Sequence, residues 1–261
     1  MKNRIICIVL AVIMALSVCA CGVSGGEYKV VKKITDQEYS IGFRAGDNAA
    51  YYVDLVLKEF AYDGTIDNLA RDWFGDSGSV DFEKKKNATK DMGFVEPRDF
   101  IIGVDLNAYP MCYPSGSGYT GFDVELAKLV CKKLGWTLKV QPIRSEDAYI
   151  ELNSGNIDCA WGGVVLDDEE PQYYILQTYM SCELVIAARS GTSNLLRGKT
   201  LYMDSAQSYL NVINENAHVV KNLAQITRVD GNTSDFFNYM DTGECDYILT
   251  TSSAVSYKNL H

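Results

Sequence analysis

Between Phe100 and Trp161 the hydrophobic period of the chain switches back and forth, and this alternation restricts the fold more than any other feature. Phe100-Ile101-Ile102-Gly103-Val104 is a continuous apolar run of strand length. Gly121-Phe122-Asp123-Val124-Glu125 then opens a helix with Phe122, Leu126, Leu129, Val130 and Leu134 on one face, stopped by Gly135. Thr137–Val140 predicts a second strand, Ala148–Asn153 a helix ending at Ser154-Gly155, and Ile157–Trp161 a third strand. Strands separated by helices must lie parallel, because a parallel pair needs a long crossover connection. An α/β sheet follows.

A second such set comes later: Glu183–Ala188, Thr200–Met203, a helix over Tyr209–Asn216, Thr227–Val229, a helix over Ser234–Thr242, and Asp246–Thr250. The fold class is therefore α/β, with two α/β lobes. Ahead of both sets, Tyr28–Val31 and Tyr39–Phe43 read as two short strands around a polar turn. Gly46-Asp47 begins a helix with Tyr52, Val53, Val56, Leu57 and Phe60 on one face, and Asp63-Gly64 stops it. Thr65 caps a shorter helix carrying Ile66, Leu69 and Trp73. Residues 76–99, rich in Gly, Ser and Lys, lack apolar periodicity and read as a flexible linker, spanning about 25–30 Å by random-coil scaling.

Charge and composition exclude several functions. The 261 residues carry a formal charge of −10, leaving no basic field for a nucleic acid. The two histidines, His218 and His261, make His-ligated metal sites and Ser-His or Cys-His catalysis poor expectations. No cofactor is implied. Lys2 and Arg4 precede an apolar stretch from Ile5 to Ala20, too short for a membrane span, which needs about 20 residues. The junction Val18-Cys19-Ala20-Cys21-Gly22 resembles the lipobox of bacterial lipoproteins, which implies a diacylated Cys21 as the first mature residue; Cys19 is the weaker acceptor. An ordinary cleaved signal peptide or a short anchor is the alternative. Five further cysteines, Cys112, Cys131, Cys159, Cys182 and Cys245, show no zinc-knuckle or CxxC spacing. Their number is odd, so at least one stays unpaired within the chain. Buried thiols and a disulfide both remain open.

At Tyr119-Thr120-Gly121-Phe122-Asp123-Val124-Glu125-Leu126-Ala127, with Leu152-Asn153-Ser154-Gly155-Asn156-Ile157-Asp158, the chain resembles the extracytoplasmic amino-acid-binding proteins of ABC importers. Leu196-Arg197-Gly198-Lys199-Thr200-Leu201 looks like the strand that opens that family's second lobe, and Gly243–Leu249 like its late strand. The resemblance implies a type II periplasmic-binding-protein-like fold, two α/β lobes joined by two crossover strands, here near Glu38–Phe43 and Thr178–Ile186. The family's usual ending sits at the front of this chain: Tyr39–Phe43, Asp63-Gly64-Thr65-Ile66 and Asp72-Trp73-Phe74-Gly75. The chain stops at Tyr257-Lys258-Asn259-Leu260-His261, where the family continues into the equivalent of Tyr28–Val31. Connectivity therefore looks circularly permuted, with fusion of two partial copies, completed by swapping, as the alternative.

The expected organisation is a signal peptide at 1–20, a tether at 21–27 and a final strand of the second lobe at 28–37. The hinge strand and closing helices of the first lobe span 38–75, the linker 76–99, the first lobe 100–177, and hinge and second lobe 178–261. Trp73 and Phe74 are expected to be buried in the first lobe.

In the family the resemblance implies, a helix N-terminus and an Arg hold an amino acid's carboxylate, an Asp holds its ammonium, and aromatics cover its side chain. Asp105 matches the Asp after the first strand, although it also suits a strand-end cap. Ala108 replaces an aromatic, with Tyr109 and Tyr113 close by; Ser145, beside Arg144, replaces another. Gly163 is retained as the backbone donor, while Val165 stands where a hydroxyl residue is usual. The Arg position falls in Asp167-Asp168-Glu169-Glu170, with Glu170 or Glu169 at the Arg, although this run equally suits a solvated helix start. The anion loop falls at Ser205-Ala206-Gln207-Ser208, and the ammonium-binding Asp at Thr251. Trp161 is expected to face the cleft, where an aromatic wall suits an amine; core packing competes.

The leading reading is a lipid-anchored extracytoplasmic solute-binding protein of an ABC importer, non-enzymatic and monomeric. Its partners are a small ligand, the permease, and the membrane through its lipid only. The ligand is expected to be an amine or amino-acid-like molecule other than a standard zwitterionic amino acid. A degenerate sensor or interaction module, and more remotely a cyclohexadienyl-dehydratase-like enzyme, are the alternatives. Replacing Cys21 with Ser is predicted to release the protein from the membrane fraction; membrane retention with an uncleaved leader contradicts lipidation.

Overall fold

The computed structural model describes residues 27–75, 79–166, 173–230 and 233–261. The leader, with Cys21, lies outside them. The elements in chain order are β1 (Tyr28–Arg44), α1 (Ala49–Asp63), α2 (Thr65–Phe74), β2 (Asp99–Asp105), β3 (Tyr113–Ser115), β4 (Gly118–Thr120), α3 (Phe122–Leu134), β5 (Thr137–Ile143), α4 (Ala148–Ser154) and β6 (Cys159–Ala160). They continue with β7 (Tyr173–Arg189), β8 (Thr200–Asp204), α5 (Gln207–Glu215), α6 (Ala217–Val220), β9 (Gln225–Val229), α7 (Ser234–Asp241), β10 (Tyr247–Thr251) and α8 (Ser252–Leu260).

Eight strands form one sheet in the order β5-β2-β6-β1-β7-β10-β8-β9. In each lobe the crossover-connected strands run parallel: β2 with β5 and β6, and β8 with β9 and β10. Both faces of each half are covered, which is why these strands read as unbroken apolar runs. In the first lobe, Phe100, Ile102 and Val104 pack with α1, α2 and α3, while Ile157 and Ala160 pack with Leu152 beneath α4. The second lobe divides its core between α7 and α8 on one face and α5 on the other.

The expected turn between two short strands at the front does not form. β1 is one strand of 17 residues, paired antiparallel with β7 from Tyr28–Arg189 to Arg44–Tyr173 through four register shifts. Its polar middle, Lys32–Glu38, reads as a turn only because it crosses the space between the lobes, where side chains meet solvent and the β7 ladder satisfies the backbone. Element bounds elsewhere differ from the sequence reading by one to a few residues; the hairpin of β3 with β4 and the short α6 leave no strong periodic signal.

Residues 79–98 form no helix or strand, yet they are anchored at several points. Phe82 is buried and stacks on Tyr179, with ring centroids 5.4 Å apart, and Asp81 N–H donates to the Tyr179 carbonyl. Glu59 on α1 accepts from the Thr89 N–H at 3.0 Å and hydroxyl at 2.6 Å and pairs with Lys133 at 2.9 Å. Those donors hold its carboxyl at about 2. Phe74 is buried against Phe122, but Trp73 is not enclosed by the first lobe. It is half-buried and stacks on Tyr257 of α8, 5.2 Å between centroids, because α2 ends where the lobes meet. All five cysteines among the described residues are free and buried.

Candidate functional site

A cavity of about 430 Å³ opens between the lobes, within the usual range for small-molecule sites. The first lobe contributes Asp105 at the end of β2, Ser145 and Glu146 after β5, and Gly163 and Val165 after β6. The crossing strands contribute Thr35 to Glu38, Ser40 and Thr178, and α5 adds Ser208, Tyr209 and Val212. Acids and hydroxyls dominate its polar lining, and none of its described lining residues is basic. An adjoining outer cleft shares Asp105 and adds Asp147, Glu151, Asp204 and Asp230, with Arg144 as its one basic lining residue among those described.

Asp105 is 8 % exposed, and its two oxygens are engaged within the protein. Oδ1 accepts from Asn107 N–H at 2.9 Å; Oδ2 accepts from Ser145 N–H at 3.0 Å and Ser145 Oγ–H at 2.6 Å. Burial raises its pKa, while the Ser145 hydroxyl pulls in the opposite direction. The Ser145 hydroxyl also accepts from Val165 N–H at 3.1 Å.

Gly163 fits its place for steric reasons. Its φ is +67°, and an added Cβ would sit 2.1 Å from the Ala108 Cβ. Its N–H does not wait for a ligand: it donates to Asp123 Oδ2 at 2.8 Å. Asp123 is fully buried and also accepts the Tyr179 hydroxyl at 2.5 Å. Burial raises its carboxyl to about 7 against these donors. Its Oδ1 and the Trp161 Nε1 lack a hydrogen bond of normal geometry, yet the indole is close enough to favour the ionised carboxyl.

Several residues singled out from the sequence lie elsewhere. Trp161 is fully buried in the first-lobe core and does not wall the cavity, because its indole lies toward the buried Asp123, which also holds the Tyr179 hydroxyl. Tyr109 is 4 % exposed and lies in an aromatic contact between the lobes, 5.4 Å from Tyr257 and 6.1 Å from Phe237. Thr251 caps α8, its Oγ1 accepting from Ala254 N–H at 3.2 Å and contacting the Tyr109 carbonyl at 3.5 Å. Arg144 lines the outer cleft, 3.5 Å from Glu146. Gln207 is the first residue of α5. Glu170 and its acidic neighbours lie outside the described residues. Asp105, Ser145, Gly163, Val165 and Ser208 do come together.

The sequence reading missed Glu38, Gln37, Ser40 and Tyr209. For the first three the available signal was the run of polar residues in an otherwise apolar strand. Tyr209 on α5 supplies the cavity's aromatic surface, and burial beside Asp105 and Asp204 raises its hydroxyl's pKa. Among the described residues no group of His, Cys, Asp and Glu is placed to hold a metal ion, and no helix is long and apolar enough to cross a membrane.

Residues 100–243, more than half of the chain, match the family described as bacterial extracellular solute-binding proteins, family 3. An arginine-binding extracellular protein of Bacillus subtilis, ArtP, is 30% identical over 109 residues, 40% of this chain and 43% of that protein. The chain thus spans less than half the length of that relative. A second Bacillus subtilis protein, named as a probable ABC transporter extracellular-binding protein (YckB), is 25% identical over 201 residues, 68% of this chain and 67% of that one. A solved ABC uptake transporter substrate-binding protein from Streptococcus pneumoniae, with bound histidine, is 26% identical, with a TM-score of 0.46 over 60% of this chain and 67% of that one.

Asp123 generates a pH prediction. Its carboxyl is raised from an unfolded value near 4 to about 7, so the native state binds the extra proton. Its contribution to stability is complete below pH 4 and is lost as the pH rises to 7, a change of about 4 kcal/mol. Asp123→Asn is expected to flatten the stability curve over this window in denaturant titrations, leaving the smaller slope from Asp105.

Proposed function

Since this chain belongs to the bacterial extracellular solute-binding proteins of family 3, we propose that it is the lipid-anchored, non-enzymatic solute-binding component of an ABC-type importer, with its ligand in the interlobe cavity. The observation that carries the reading is the cavity itself, built by both lobes and by the strands that cross between them. β1 and β7 are the hinge about which the lobes move. Lipidation at Cys21 and docking to a permease complete the proposal.

The ligand we propose is a cationic or weakly charged amine, not a zwitterionic α-amino acid held by an Arg–Asp pair. Acids surround the cavity from the crossing strand, at Asp36 and Glu38, and from the first lobe, at Asp105 and Glu146. A ligand carboxylate among them lacks a basic partner. Val165, Glu170 and Thr251 stand at the positions where the resemblance implies a hydroxyl, an Arg and an Asp, and Tyr209 offers an aromatic face to a cation. Two absent charge-assisted anchors, each worth roughly 1.5–3 kcal/mol, weaken amino-acid binding by about two to four orders of magnitude. A sensor or interaction module is the second reading. It is favoured by direct interlobe ties: Thr233 Oγ1 donates to the Asn107 carbonyl at 2.9 Å and Tyr113 meets Tyr257 hydroxyl to hydroxyl at 3.2 Å.

Permuted connectivity is also proposed. It is supported by Asn259, whose side chain exchanges two hydrogen bonds of 2.8 Å with the Tyr28 backbone, so the end of α8 lies beside the start of β1. A protein cleaved within residues 79–98 is expected to remain folded and monomeric; separation into unfolded pieces, or an obligate swapped dimer, overturns the permuted monomer. Calorimetric titration with the twenty amino acids and a panel of small amines tests the ligand class. The expected result is an amine that binds and is weakened by Glu38→Gln. Micromolar binding of an ordinary amino acid, lost on mutating Asp105, overturns it.

A further inference from the structure

We propose that Ser145 is the specificity-determining residue of the interlobe cavity, because it keeps the Asp105 carboxylate from serving as an ammonium anchor. This rests on reading the cavity as the ligand site. Asp105 is the buried acid of that cavity's wall; Asp36 and Glu146 are tied instead to Lys33 and Arg144 at the surface. A carboxylate offers about four lone-pair positions, and three on Asp105 are already filled. Two of the three donors are backbone N–H groups, which truncating the side chain at 107 or 145 leaves in place. The third is the Ser145 hydroxyl, at 2.6 Å the shortest of the three.

The same hydroxyl closes the wall from the other side. By accepting from Val165 N–H at 3.1 Å, it joins the end of β2, the turn after β5 and the loop after β6. That loop is in turn fixed to the crossing strand, where Ser40 N–H donates to the Val164 carbonyl at 3.3 Å. Ser145 therefore has its one donor and one of its two acceptor positions committed to the protein. With it in place, a ligand ammonium meets an Asp105 whose acceptor positions are about three-quarters filled, and is read chiefly by Glu38 and Tyr209. Without it, Oδ2 loses its strongest donor and regains a lone pair facing the cavity, and the vacated volume lies directly beside it.

The test compares wild type with Ser145→Ala, Ser145→Thr and the Ser145→Ala/Asp105→Asn pair, titrated calorimetrically with ethanolamine, cadaverine and tyramine. Ser145→Ala is expected to bind at least one of these amines about tenfold or more tightly than wild type, the gain of one charge-assisted hydrogen bond. Ser145→Thr, which keeps the hydroxyl, is expected to match wild type, and Asp105→Asn is expected to cancel the gain. A second readout follows the Asp105 carboxyl by carbon NMR as the pH is varied. Its midpoint is expected to rise in Ser145→Ala and to stay in Ser145→Thr. Equal amine affinity in wild type and Ser145→Ala, a gain that survives Asp105→Asn, or an unmoved Asp105 midpoint overturns the assignment. Silence of every variant toward all three amines overturns the cavity as an amine site along with it, whereas binding that ignores Ser145 overturns the assignment alone.

Discussion

The antiparallel ladder between β1 and β7 is the interaction on which the rest of the molecule depends. The two strands are 17 residues each, pair residue by residue except where the register shifts, and both run through the two lobes. The other strands of the eight-stranded sheet join it through this pair, β6 on one side and β10 on the other. The ladder supplies backbone partners across a region where neither lobe offers a core, so polar side chains are tolerated there at little cost. Those side chains, Thr35 to Glu38 with Ser40 and Thr178, consequently face the interlobe cavity.

Around that ladder the polar groups nearest the cavity are already engaged by the protein. Asp105 is held by Ser145 and Asn107, and the Gly163 N–H by Asp123. Burial makes each of these bonds necessary, since an unpaired buried polar group costs about 1–3 kcal/mol. Rigid walls result, and Ser40 and Thr178 pair hydroxyl to hydroxyl at 2.8 Å, which leaves Glu38 and Tyr209 as the groups proposed to meet a ligand.

One aromatic contact binds the lobes away from the hinge, and a second set of contacts braces the first lobe. Trp73, Tyr109, Tyr113 and Tyr257 meet where α2, the loop after β2 and α8 converge, with Lys258 Nζ 5.7 Å from the Tyr109 ring. Residues 79–98 strap α1 and α3 to β7 through Phe82 and the Glu59–Thr89 bonds. Aromatic pairs of this kind add about 0.5–1.5 kcal/mol each beyond their buried area.

Periodicity alone determined the two α/β lobes, because apolar runs and helical faces are local properties of the chain. It also located the glycine stops at Gly64, Gly135 and Gly155, each of which takes the left-handed conformation that ends a helix. Asp105, Ser145, Gly163, Val165 and Ser208 are assigned to one site by the family resemblance, and they do line one cavity, four at or after strand ends of the first lobe and Ser208 near the start of α5. Tertiary structure alone decided the rest. β1 is continuous because β7 lies beside it, which no local pattern reveals; Trp161 lies in the core, toward the buried Asp123. Thr251 and Tyr109 look like site residues by position, but the approach of the two lobes commits them to each other. Whether a polar side chain serves a ligand or the fold depends on which donors surround it, and those donors come from segments far apart in the chain.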